Sequence, residues 1–183
     1  MGDARRIAQA GVIAAVYAVL TYLVLQTPIG NGIIQLRLSE ALTVLACLTP
    51  AAIPGLTIGS LIANLDSVAK MGAVGLFDVV FGSLGTLLGA MWSWRFRDRT
   101  WLALLGPVVC NALIVPAYLP FMLRAAGLAE VPLFGVSLTT AWPLLYLYGV
   151  LTVGVGQAIV VYALGLPLLV ALRRVRLPGL TQP

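Results

Sequence analysis

The sequence predicts an all-α membrane protein, a bundle of six transmembrane helices with both termini cytoplasmic. Three observations carry that prediction. The hydrophobic set makes up 61% of the 183 residues and 19 glycines add to the apolar share, whereas soluble domains reach about 45–50% with glycine included. Charged residues are 9% of the chain, against about 25% in an ordinary globular protein, too few to clothe a water-facing surface. The apolar positions fall in runs divided by charges, prolines and glycines, and at about 20 residues per crossing this length holds six or seven. No length remains for a separate globular domain, so residues 1–183 read as one integral membrane domain.

In order, the runs are 7–26, 39–50, 52–66, 74–94, 101–122 and 142–172. The first begins MGDARRIAQAGVIAAVYAVL, basic then apolar. More apolar runs follow it rather than a soluble region, which makes it a first span and not a cleaved signal. The second and third are short for full crossings and meet at Pro50-Ala51-Ala52-Ile53-Pro54; either each crosses or the two form an interrupted re-entrant pair. Gly82, Gly85 and Gly89 give the fourth run a face for close packing within the chain. The fifth and sixth runs carry amides, Asn111 and Gln157, deep in apolar sequence.

Arg5 and Arg6, then Arg95, Arg97 and Arg99, then Arg173, Arg174 and Arg176 fall together on one side of a six-span chain, eight of the 11 basic residues. Basic loops stay in the cytoplasm, which sets the termini there. The parity survives if the short pair does not cross. The opposite side keeps Arg37, Lys70 and Arg124, and its longer connections form the mouth of a site.

The same inventory excludes several function classes. The chain has no histidine, and Cys47 and Cys110 lie within apolar stretches, as small hydrophobes rather than disulfide or zinc partners. There is no GxxxxGK[ST] phosphate loop and no basis for a serine-histidine or zinc-protease centre. Catalysis is therefore the weaker reading, and the chain itself is expected to bind no cofactor or metal. The net charge of +5 fits the cytoplasmic bias and calls for no nucleic acid.

Ionisable groups are costly in hydrocarbon, so their placement points to function. Arg37 and Glu40 open the second run, Asn64 and Asp66 close the third, and Asp78 begins the fourth, all at one level. Arg37 and Glu40 serve either as an i, i+3 pair at a helix start or as ligand contacts. Ser39 reads as that helix's cap, and Asp66 and Lys70 as solvated loop. Asn111 and Gln157 on neighbouring spans favour a polar ligand site over a simple interhelical hydrogen bond. Trp142, Tyr146 and Tyr148 suit either an interfacial belt or stacking on a flat ligand. A carboxylate and amides beside aromatic rings admit a planar, purine-like heterocycle with a donor edge. On the first span Ala10, Ala14 and Ala18, with Gly11 and Ala15 beside them, make a small-residue face for another helix, from this chain or from a partner.

The segments QLRLSEALTVLACLTPAAIPGLTIGSLIANL, GLFDVVFGSLGTLLGA, NALIV and GQAIVVYALGLPLLVALRR together resemble the QueT family, over roughly Gln35 to Arg174. That family comprises substrate-binding S components of energy-coupling factor (ECF) transporters. The resemblance implies a six-helix S-component bundle that captures a queuosine-related 7-deazaguanine (queuine, its precursors or queuosine) outside the cell. It also implies a transmembrane scaffold and two cytoplasmic ATPase subunits as partners, with ATP hydrolysed by those partners. On this pattern Ala10, Ala14 and Ala18 dock on the scaffold, and the ligand pocket lies near Arg37 and Glu40. The expected site has Glu40 or Asp78 on the guanine-like edge and Asn64, Asn111 and Gln157 as amide contacts. Trp142 or Tyr146 packs on the ring, and Arg37 orders the covering loop. One position departs: the family pattern has an acidic residue in a G-E-x-I/L-like context, where GQAIV here places Gln157. The ligand's form, free base, aminomethyl base or nucleoside, stays open on that account. The rival readings are an S component for another vitamin such as cobalamin, a self-sufficient ion-coupled secondary transporter using Asp78 and Glu40, and a membrane enzyme relying on carboxylates alone.

Overall fold

The computed structural model describes residues 2–27, 36–125 and 142–175. Among the described residues every regular element is helical. The α-helices are α1 (Asp3–Leu25), α2 (Ala52–Met71), α3 (Ser83–Arg95), α4 (Thr100–Ala125), α5 (Trp142–Ala158) and α6 (Leu166–Val175). Two 3-10 helices, Leu38–Cys47 and Gly72–Gly75, and two π-helical segments, Asp78–Gly82 and Ile159–Gly165, lie between them. Among the described residues, four stretches are long and apolar enough to cross a membrane: Asp3–Leu25, Ala52–Gly75, Thr100–Met122 and Trp142–Val175.

The second expected run is shorter than a span and differently wound. Leu38–Cys47 is a 3-10 helix of 10 residues, about 20 Å long at about 2.0 Å per residue, against about 30 Å of hydrocarbon. It lies within the bundle, against α1, α2, α3, α4 and α6. Its threefold repeat sets Glu40, Thr43 and Ala46 in one buried row. The apolar cores on either flank both draw on it: Ala46 packs with Ile13, Tyr17 and Leu56, while Val44 and Cys47 pack with Leu104, Val161 and Leu169. Cys47 thus packs as a small hydrophobe.

The third run is longer than expected. α2 continues to Met71, so Asp66 and Lys70 stand on its last turns as an i, i+4 ion pair at 2.6 Å, not in a loop. Gly72 ends it at φ +63° and ψ −145°, a conformation open only to glycine.

Small residues decide how α1 meets α2. A Cβ on Gly55 would stand 2.8 Å from the Ala10 carbonyl oxygen, and one on Gly59 would stand 2.9 Å from that of Ala14. Backbones this close are what small-residue faces allow in lipid. The consequence corrects an expectation: Ala10, Ala14 and Ala18 are buried, at 9%, 5% and 6% exposure. α2 covers the stripe assigned to scaffold docking, because Gly55-x-x-x-Gly59 supplies the complementary small face. The opposite side of α1, with Val12, Val16, Val19 and Leu23, is exposed apolar surface.

α3 and α4 pack at Gly89, whose Cβ would lie 2.8 Å from the Pro107 Cα. Pro107 has no N–H for the Ala103 carbonyl one turn earlier. The Ser93 hydroxyl donates to that carbonyl at 2.8 Å. Ser93→Ala should therefore lower stability by about 1–3 kcal/mol, the penalty for a buried acceptor left unpaired. A thermal melt of the detergent-solubilised variant checks this, and an unchanged midpoint would refute it.

The arginine-rich segments meet at one end of the bundle. Arg173 donates to Thr100 Oγ1 at 3.0 Å and to the Arg97 carbonyl at 3.4 Å, and Arg97 lies over the Trp94 ring, 4.2 Å from its centroid.

Candidate substrate-binding site

Away from that end, a cavity of about 240 Å³ sits among the last turns of α1, α2 and α4 and the C-terminal half of α5. Its ionisable walls are Arg37, Glu40, Asp66, Lys70 and Asp78, its amides Asn111 and Gln157, and its apolar lining includes Val115, Leu119, Met122 and Val153.

Two hydrogen-bonded systems build the polar walls. The first centres on Asp78, at the start of the π-helical turn. Its Oδ1 accepts from the Tyr118 hydroxyl at 2.6 Å, and its Oδ2 accepts from the Ser67 hydroxyl at 2.6 Å and from Arg37 Nη2 at 3.4 Å. Asn64 ties the same group together: its Nδ2 donates to the Asp78 carbonyl at 3.0 Å, and its Oδ1 accepts from Arg37 Nη1 at 3.1 Å. A side chain on Gly82 would meet Asn64 Nδ2 and Asp78 Oδ1, both at 2.9 Å, so the glycine leaves the room this cluster occupies.

The second system surrounds Glu40, which is 2% exposed. The Tyr17 hydroxyl donates to its Oε1. Its Oε2 accepts from Gln157 Nε2 at 2.8 Å and from Asn111 Nδ2 at 3.4 Å. Gly85 makes space for Asn111, since a Cβ there would fall 2.5 Å from Asn111 Oδ1. The Thr21 hydroxyl donates to Ser39 Oγ at 2.7 Å and pins the start of the 3-10 helix to α1. Ser39 forms no capping hydrogen bond, a correction to its expected role; its hydroxyl faces α1 instead.

π-helical turns, which insert an extra residue and re-aim neighbouring side chains, are frequent at functional sites. Here one begins at Asp78 and the other begins two residues after Gln157. A family model described as QueT transporter matches residues 7–174, nearly the whole of this architecture.

The chain belongs to the QueT transporter family. As a QueT family member it is a multi-pass membrane protein with a role in transport. No curated protein and no solved structure matches it.

In this QueT family chain the structure gathers most of the polar residues singled out from sequence. Arg37, Glu40, Asp78, Asn111 and Gln157 all line the cavity. Arg37 and Glu40 are not each other's partners: Arg37 pairs with Asp78, and Glu40 with amides and a phenol. Asn64 lies behind the wall, holding Arg37 and Asp78 in place rather than facing the cavity. Trp142 and Tyr146 are a second correction. They stack on each other with centroids 5.5 Å apart, and Trp142 is 47% exposed. Neither lines the cavity, because they precede Gln157 by three to four turns and lie at the N-terminal end of α5.

Three residues of the site escaped notice in the sequence. Tyr17 and Tyr118 are phenols inside apolar helices, and a buried tyrosine hydroxyl needs a partner; that rule was the available signal. Ser67 offered none, since a serine between Asp66 and Lys70 reads as part of the same solvated loop.

Proposed function

We propose that the protein is the substrate-binding S component of an ECF-type importer, capturing a queuosine-related 7-deazaguanine from outside the cell. The observation that carries this reading is QueT family membership of a chain whose membrane-depth polar groups line one cavity. The chain acts as a binding subunit and not an enzyme. ATP is hydrolysed by two cytoplasmic ATPase partners, coupled through a transmembrane scaffold. Six helical passages, with the Leu38–Cys47 helix as a short inner one, put the arginine-rich end and both termini in the cytoplasm.

The size of the cavity supports a small ligand. Pockets for drug-sized molecules run from about 300 to 1,000 Å³, and this one, about 240 Å³, suits a base with a short substituent. A corrinoid is far larger, which disfavours cobalamin. Calorimetric titration of the purified chain with 7-deazaguanines, guanine and cobalamin tests the cargo. Stoichiometric binding of one 7-deazaguanine is expected, and binding of only another vitamin overturns the substrate. Uptake should require the ATPases. Uptake by the isolated chain, driven by an ion gradient, would instead make it a secondary transporter.

With Ala10, Ala14 and Ala18 covered by α2, the scaffold meets the other face of α1, where Gly11 and Ala15 are exposed and a Cβ on Gly11 meets nothing within 4 Å. Ala15→Trp should abolish co-purification with the scaffold and leave ligand affinity within about twofold, since close helix approach needs small side chains. Retained assembly in that variant moves the docking face elsewhere.

A further inference from the structure

We infer that the cavity is built for a ligand carrying one positive charge, held as an ammonium group against Oε1 of Glu40; this rests on the ligand-capture function proposed above and narrows it. The ionisable groups lining the cavity are two cations, Arg37 and Lys70, and three anions, Glu40, Asp66 and Asp78. Arg37 pairs with Asp78 at 3.4 Å and Lys70 with Asp66 at 2.6 Å. Among the described residues no lysine or arginine forms an ion pair with Glu40. Glu40 is the odd anion, 2% exposed and hydrogen-bonded by neutral donors alone, while Arg37 acts on it only at longer range and is paired with Asp78. A buried charge of this kind is strongly unfavourable until a counter-charge reaches it.

The hydrogen bonds already made determine what form that counter-charge takes. Each carboxylate oxygen accepts about two hydrogen bonds. Oε2 has both, from Asn111 and Gln157, whereas Oε1 has one, from Tyr17. A guanine-like edge presents two adjacent N–H groups and needs a free position on each oxygen. Glu40 offers a single position, on Oε1. An ammonium group fills one acceptor position and brings the missing charge as well. Glu40 therefore meets a charged substituent of the ligand and not the edge of its ring. Among 7-deazaguanines this selects those with an aminomethyl nitrogen over the nitrile.

The test is calorimetry on the full chain in lipid nanodiscs with three ligands: 7-aminomethyl-7-deazaguanine, its neutral 7-hydroxymethyl isostere and the 7-cyano compound. The aminomethyl compound should bind about 10- to 100-fold more tightly than either neutral one, the range for a charged hydrogen bond against a neutral one. Glu40→Gln should erase that preference, bringing the aminomethyl ligand to the affinity of its hydroxymethyl isostere in the same variant. Equal or tighter binding of the neutral ligands overturns the charge inference and leaves the 7-deazaguanine function standing. Failure of all three to bind overturns that function and the inference with it. The wild-type comparison of the two isosteres decides the matter even where Glu40→Gln does not fold.

Discussion

Asp78→Ala is expected to destabilise the protein by about 3 kcal/mol or more, the scale for breaking a largely buried ion pair from one side. Three donors lose their acceptor at once: Arg37, Ser67 and the Tyr118 hydroxyl. The greater part of the loss comes from Arg37, whose side chain is 30% exposed and whose guanidinium keeps only the neutral Asn64 oxygen as a hydrogen-bond acceptor. The signature that separates this cause from a simple loss of packing is a double-mutant cycle. Adding Arg37→Ala to Asp78→Ala should recover part of the stability, because it removes the orphaned charge. Thermal unfolding of the four proteins in detergent measures it, and strictly additive losses would show that the pair is not coupled.

Gly59→Leu should produce the second large effect, loss of a monodisperse folded protein. Its Cβ alone would stand 2.9 Å from the Ala14 carbonyl oxygen and 2.8 Å from the Tyr17 Cβ. Helix backbone cannot yield by rotating a side chain, so α1 and α2 must separate. That separation would withdraw the Tyr17 hydroxyl from Glu40, coupling the packing defect to the binding site. Gly59→Ala should be a graded version, costing about 1–3 kcal/mol as overpacking does. Gly11→Leu, on the open side of α1, should leave the fold unchanged. Size-exclusion profiles of the three variants check the series; a monodisperse Gly59→Leu would mean that the α1–α2 contact is not tight.

The same contact shows where sequence reasoning stopped. Alanines four apart on α1 announce a close helix neighbour, but not which one. The neighbour's own pattern, Gly55 and Gly59, was equally present in the chain; small residues carry no pairing code, so geometry had to choose. The polar residues were more legible. Arg37, Glu40, Asp78, Asn111 and Gln157 stand out because apolar sequence tolerates few such groups, and all five reach one cavity. Their pairings were hidden. An i, i+3 spacing suggested that Arg37 and Glu40 face each other, yet Arg37 precedes the helix, with ψ 91°, and turns toward Asp78. The 3-10 winding of Leu38–Cys47 was also illegible, since its buried positions also suit an amphipathic α-helix read over only ten residues. Trp142 and Tyr146 misled for the opposite reason: their chemistry suits stacking on a ligand, but stacking on each other at the end of α5 satisfies it as well.

The distances along the chain between Glu40 and its donors bear on how the protein is made. Tyr17 is 23 residues away and is synthesised before it; Asn111 and Gln157 follow it by 71 and 117 residues. Membrane proteins emerge from the ribosome N-terminus first, so Glu40 enters the bilayer with a single donor and waits for the remainder. Its Oε2 is satisfied only when the last long helix has been inserted. A nascent chain halted before α5 would carry the early packing between α1 and α2 but no completed carboxylate. On the ligand-capture function proposed above, binding is a property of the finished polypeptide, and a half-made chain would lack the completed carboxylate during its own biogenesis.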